Sequence, residues 1–569
     1  MSNKFWLLLG LVFSQGIFAQ GATPQYFSQG WSSAERQWFY TTTQGSQLLR
    51  YDWFLALERP DSQTLFLDDN LARFGYLAGE TQPAGTPKSL PVGFVADKGK
   101  MGWFVGMTCA ACHTSEIKFG ATTIRVDGAP TNADMYGLIE ELGRALTKAA
   151  TNDLAFARFS ARLPKHHAKQ PKLRENLTKF AEEFAQFVAD STPVSPWGPG
   201  RLDAFGMILN RLTNKHLGHS ANNRVPNAPV SYPFLWGTGN HDVTQWNGSA
   251  PNKLELHRLA RNAGEVLGVF ADFSFAKKTL PYSHYESSVN RLNLLLLDRL
   301  VNTLKPPAWP ESLYPINKAS AERGRDIYAA NCAGCHNGKV GSDGKLVLKL
   351  IPLADIKTDV SMAIAFDERM ATTKLLEGQD RYFVPSFDKF AASDFAKDIL
   401  LNAVVGAIVA PSKRVSPSLF NGFGLLVDPV SLVESALEIT LIVDASREAG
   451  VDFFSGDPLQ NLSKLFTTAK QPAYKARPLE GIWATAPYLH NGAVPNLTEL
   501  LKPPGARVPK FSVGSREFDP VNVGFVSSPG SSAFELDTAK AGNSNSGHEY
   551  GTALTPGEKA DLIEYMKTL

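Results

Sequence analysis

Apolar positions along this chain gather into a few helical stripes separated by long irregular stretches. Lys4 precedes an apolar run from Phe5 to Phe13, and Ile17-Phe18-Ala19 places a small residue before Gln20. That order predicts a secretory signal peptide over residues 1–19, too short to anchor stably in a bilayer. Leu138–Phe187 has a largely helical pattern, interrupted by the basic, polar Lys165-His166-His167. Residues 190–250 are rich in Pro, Gly, Asn and Trp and predict long ordered loops, their many aromatics arguing against disorder. Ala319–Ala330 predicts an amphipathic helix. Near the end, Thr555-Pro556-Gly557-Glu558 is a capping box with proline at the first helical position. The stripe Leu562, Ile563, Met566 and Leu569 that follows should pack on that earlier helix. The later apolar runs, Leu292–Leu297 and Val404–Ala410, are long enough for a core but not for a bilayer.

Between the stripes, Lys305-Pro306-Pro307-Ala308-Trp309-Pro310 disfavours both helix and sheet and marks a boundary. The expected organisation is therefore residues 20–310, with helical and loop insertions, and residues 311–569. The 569 residues carry 36 prolines and 46 glycines, consistent with many irregular connections, and a net charge of +2 gives no reason to expect a nucleic-acid partner.

The four cysteines change this picture, because all of them fall in two copies of one pattern: Cys109-Ala110-Ala111-Cys112-His113 and Cys332-Ala333-Gly334-Cys335-His336. C-x-x-C-H is the attachment signal of a c-type haem, two thioethers fixing the porphyrin and the histidine ligating iron. Residues three and four apart share one face of a helical turn, so both sulfurs and the imidazole can meet one porphyrin. No thiol is left for a disulfide. Two covalently bound haem c groups are expected, on a fold mainly α with long ordered loops and two cytochrome c-like haem domains. Covalent haem attachment goes with export in a bacterium, so motifs and signal peptide both predict a periplasmic or secreted protein.

A haem iron held by one histidine transfers electrons if a second side chain fills its sixth position, and does O2 or peroxide chemistry if that position is free. For the second haem the candidates among the 11 histidines are His548, in a glycine-flanked loop before the last helix, and His490, in Ala486-Pro487-Tyr488-Leu489-His490-Asn491-Gly492. Met362 and Met370 are weaker candidates, since methionine is more often core filler. His548 is preferred. For the first haem, His166, His167, His216, His219, His241 and His257 all lie in polar or loop settings. That iron is therefore expected to be five-coordinate or weakly ligated, and reactive.

Three further stretches resemble the bacterial di-haem cytochrome c peroxidase/MauG superfamily, most closely its long branch of rubber oxygenase and di-haem fatty-acid oxygenases. Gln245-Trp246-Asn247-Gly248-Ser249-Ala250 is similar to the family's F-W-D-G-R-A, and Arg261 to Gly268 to its N-P-x-E-M-G. Thr485-Ala486-Pro487-Tyr488-Leu489-His490-Asn491-Gly492 is similar to its T-A-P-Y-x-H-x-G. The resemblance implies that Trp246 bridges the haems and that Glu265 is a distal acid/base with a pKa raised by its pocket. It also implies a calcium ion between the haems, near Thr485 and Pro487. One departure matters: the peroxidases and MauG take the second haem's Met or Tyr ligand about fourteen residues after the T-A-P-Y-x-H histidine, and here Pro504 stands there. The long branch instead resembles this chain in using a histidine near the C-terminus, which favours His548 over His490.

The resemblance implies an O2-dependent oxygenase (dioxygenase) of an unsaturated hydrophobic substrate, a fatty acid or isoprenoid, acting at the first haem. Phe234, Trp236, Phe270 and Phe273 are candidate pocket walls, and Arg261 a candidate partner for a substrate carboxylate. The alternatives are a peroxidase reducing hydrogen peroxide with electrons from a small periplasmic donor, and a two-haem electron carrier.

Overall fold

The computed structural model describes residues 24–79, 90–168, 171–278, 285–381, 388–408 and 472–569; the expected signal peptide lies outside them. Helix occupies about 40% and strand 18%, the strands forming only two- and three-stranded sheets.

The first motif lies between two hairpins rather than at the end of a long helix. Phe94–Gly99 pairs antiparallel with Gly102–Met107, and Thr108 then caps a single turn, Cys109–Cys112, its hydroxyl accepting from the Ala110 N–H. The next hairpin pairs Thr114–Phe119 with Thr122–Asp127. Gly93 passes so close that a Cβ there would come within 2.0 Å of the Ala111 nitrogen, so only glycine fits at its φ of +79°.

The stretch read as helical from Leu138 is four helices: Met135–Thr151, Asp153–Arg162, Lys165–Ala168 and Leu173–Asp190. A break falls at the basic residues, where Asp153–Arg162 has ended and only the turn Lys165–Ala168 precedes Leu173–Asp190, and another comes earlier at Asn152, whose side chain caps the second helix through Ala155 N. Within the expected loop region 190–250, Asp203 caps a further helix, Ala204–Asn210, which continues as a π-turn to His216. Asp203 competes for backbone N–H groups, and that turns the chain into a helix there.

The second motif follows Lys318–Asn331, capped by Asn317, and occupies the turn Ala333–His336. The last helix, Pro556–Met566, starts with the expected Thr555/Glu558 capping box and buries Leu562, Ile563 and Met566. The two helices cross closely at Gly324, where a Cβ would lie 1.9 Å from the Asp561 carbonyl oxygen. Arg323 and Asp561 pair beside this crossing. Gly324→Ala is therefore expected to destabilise the fold by about 1–3 kcal/mol through overpacking; an unchanged midpoint of thermal unfolding would contradict this crossing.

The halves on either side of residue 310 share their cores. One cluster joins Trp31, Phe39, Ile117 and Trp236 to Trp483, Phe518 and Leu562, with Cys109 and Cys332 both packed at its edge. Another joins the helix Glu255–Gly268 to Ala396–Ile408. Lys349–Pro352 pairs antiparallel with Ala473–Ala476, which brings residues 474–477 between the motifs.

Candidate haem centres

At the first motif, His113 Nδ1 lies 2.8 Å from the Pro233 carbonyl. A carbonyl only accepts, so Nδ1 carries the proton and Nε2 keeps its lone pair free for a metal. Burial lowers the His113 pKa to about 4 and pushes the Cys109 and Cys112 thiols up to about 12. The environment thus holds a neutral imidazole and neutral sulfurs, suited to an iron ligand and two thioethers. Gln44 Nε2 donates to Cys109 Sγ at 3.2 Å. Tyr232 stands edge-on to His113, ring centres 6.2 Å apart.

The second motif has the same logic. His336 Nδ1 donates to the Arg477 carbonyl at 2.8 Å, leaving Nε2 free. Across from it is His548, the ring centres 6.3 Å apart. Two imidazoles on opposite sides of one iron, each with a nitrogen about 2 Å from it, hold their centres roughly 6 Å apart. Burial lowers the His548 pKa to about 4, and its Nδ1 is buried with no hydrogen-bond partner among the described residues. His490 lines the same space, but its ring stacks on Tyr474 at 4.0 Å. Met362 is core and Met370 is exposed on a short strand.

A cavity of about 1370 Å³, open mouth included, runs from Cys332, Cys335, His336 and His548 to Trp246, Tyr232 and Phe234. Ile351, Ile356, Leu500, Leu501, Leu562 and Met566 give it apolar walls. Two buried basic side chains, Lys475 and Arg477, also reach it, and burial pushes the Lys475 pKa well down. Neither makes an ion pair with any described residue, and Arg477 Nε is a buried donor with no acceptor. An apolar slot with a pair of imidazoles and two buried basic side chains in its wall fits a flat porphyrin. The residues present fit the group at this motif.

The two motifs meet through the loop that carries Trp246. Its indole Nε1 donates to the Ser231 carbonyl at 2.8 Å, it borders the same apolar cluster and cavity as Cys335, and the residue after Ser231 is Tyr232 beside His113. The preceding Gln245 adopts φ +60° and its Nε2 donates to Glu265 Oε1 at 3.1 Å. Glu265 is half-buried on the helix Glu255–Gly268. Burial raises its pKa despite the opposing pull of Arg261, and its charge is felt at both Cys109 and Cys112. Trp246 and Glu265 are therefore placed by one loop, one toward each motif.

Some expectations fail. Arg261 is not open to a substrate carboxylate, because its guanidinium is shared between Asp298, Asn252 and Asn262. Phe234 lines the cavity at the second motif, and Trp236 is fully buried against it. Phe273 packs among Phe275, Tyr285 and His216. Among the described residues no three His, Cys, Asp or Glu side chains gather to hold a metal, and the calcium expected near Thr485 and Pro487 would rest on backbone carbonyls instead. Gln44, Tyr232, Gln245, Lys475 and Arg477 escaped the sequence reading, since each matters only through partners far along the chain.

Comparison with known proteins gives the same assignment of chemistry. The profile of the RoxA-like, cytochrome c-like family matches residues 473–512, and that of cytochrome C oxidase, cbb3-type, subunit III matches residues 319–394. Both segments belong to the second motif and its surroundings. An uncharacterized protein of Sinorhizobium fredii, y4iJ, is 30% identical over 613 residues, covering 96% of this chain and 93% of its own. A second from the same organism, y4iM, is 25% identical and covers 68% of this chain and 74% of its own.

Proposed function

The chain belongs to the family of the Sinorhizobium fredii protein y4iJ, a cytochrome c-containing oxidoreductase family, and from that premise we propose a two-haem oxygenase with unequal irons. Cys332, Cys335, His336 and His548 hold the electron-transfer haem. Cys109, Cys112 and His113 hold the reactive one, with Glu265 and Trp246 serving it. The observation that carries the reading is this asymmetry: His336 faces His548 at 6.3 Å, whereas the ring beside His113 is Tyr232, edge-on.

Bound haem supplies an iron that activates O2 where its sixth position is open and exchanges electrons where it is filled. The protein's own groups do the rest. The Pro233 carbonyl fixes the His113 tautomer and makes Nε2 a stronger donor. Gln245 fixes Glu265, whose raised pKa keeps a proton on the carboxyl group above the ordinary carboxylate range. The substrate is an unsaturated hydrophobic chain, a fatty acid or isoprenoid, receiving both atoms of O2. The protein works in the periplasm or outside the cell; no helix among the described residues is long and apolar enough to cross a membrane.

The test is O2 uptake with oleate or polyisoprene against consumption of hydrogen peroxide with a reduced small electron donor. Uptake that depends on the apolar substrate is expected. Faster peroxide consumption with no such uptake would instead establish the peroxidase, which the placement of Glu265 and Trp246 also serves.

A further inference from the structure

The axial histidines of the two motifs are joined through a single side chain. His113 donates to the Pro233 carbonyl and His336 to the Arg477 carbonyl, both at 2.8 Å. The Arg477 guanidinium reaches back across the gap, Nη1 donating to the Phe234 carbonyl at 3.0 Å and Nη2 to that of Trp236 at 3.3 Å. Its carbon sits over the Phe234 ring, 3.2 Å from the centroid. The backbone that accepts from one axial histidine is thus fastened, by a buried cation, to the residue that accepts from the other. Each acceptor is more than a hundred residues from its histidine, so no local segment holds either ring: the separations are 120 and 141.

We propose that Arg477 couples the two haem sites, setting the orientation and electrostatics of both axial histidines at once. It is a positioning residue, and the proposal rests on the two-haem reading. Three observations point the same way. Arg477 is 5% exposed and makes no ion pair among the described residues, the charge of Glu480 acting on it without such a pair. Its field is felt at His113 while its carbonyl holds His336. Its planar fork spans two carbonyls, which an ammonium on a shorter stem does not do.

A buried positive charge favours the less positive, ferrous state of each iron. Arg477→Gln removes the charge, and both haems should become harder to reduce, each by at least tenfold in equilibrium constant (about 59 mV for one electron). Arg477→Lys keeps a charge but withdraws it from the Phe234 side and loses the fork. Both potentials should then fall together, by at least threefold. The measurement is spectroelectrochemical titration of the full-length protein, with haem counted by pyridine haemochrome. Two bound haems with a shift at only one of them, or at neither, in either variant overturn the proposal. Should the glutamine variant lose haem, the lysine variant decides alone. Fewer than two haems in the wild-type protein would overturn the two-haem reading first and this coupling with it.

Discussion

His548→Ala is expected to convert the haem at Cys332–His336 from a six-coordinate, low-spin species to a five-coordinate, high-spin one without loss of haem. The thioethers and His336 remain, so attachment survives while the spectrum of the ferric protein changes. His548 is held where it is by backbone more than by its ring. Gly547 before it lies so close to the Ile356 carbonyl that a Cβ would come within 2.3 Å. His548 itself has φ +48°, donates its N–H to the Ile356 carbonyl at 2.9 Å, and accepts from Arg507 Nη2 at 3.1 Å. That much constraint on a left-handed histidine is the kind found where a side chain must be aimed. Turnover should fall by at least about tenfold, the lower end of what disturbing even an outer partner of a metal ligand costs. His490→Ala is the comparison, since that ring stacks on Tyr474. A low-spin haem that survives in the first variant and is lost in the second would reverse the two histidines' roles.

What the sequence made legible follows from the range of each signal. The motifs, the capping box at Thr555 and the stripe Leu562, Ile563 and Met566 are local patterns, and each fell where its spacing placed it. The break expected at Lys165–His167 is present, and the further one at Asn152 was missed because a single capping asparagine is a fainter signal than a run of charge. The pairing of Lys349–Pro352 with Ala473–Ala476 has no local signature at all. It nevertheless delivers Lys475 and Arg477 to the cavity. The same holds for Gln245 and Glu265, 20 residues apart in the chain and joined by one hydrogen bond. Arg261 was misjudged for the converse reason: Asp298, its partner, lies on another helix. The proline-rich stretch at 305–310 was visible as a boundary in composition, but the aromatic core that joins Phe27 and Phe119 to Trp483 and Phe518 crosses it.

Glu265→Gln carries the second large effect: turnover at the first haem should drop on the order of 10²-fold or more, the usual worth of a positioned acid or base. The substitution isolates the proton. Glutamine has nearly the shape of glutamate, and its carbonyl oxygen can still accept from Gln245 Nε2, so the loop that carries Trp246 stays in place. Both haems should remain attached, with absorption spectra close to those of the wild type. The pH dependence gives an independent check. The wild-type carboxyl pKa is raised by burial, so activity that needs the protonated form declines as pH rises through that raised value. Glutamine cannot titrate, and that limb of the profile should vanish. Wild-type stability falls over the same range of pH. A carboxyl group that binds its proton more tightly folded than unfolded costs stability as pH climbs from the ordinary carboxylate range through the raised pKa. The glutamine variant escapes this cost, so its melting temperature should gain on the wild type with rising pH. Unchanged turnover together with that gain would leave Glu265 a buried carboxyl group without a part in the chemistry.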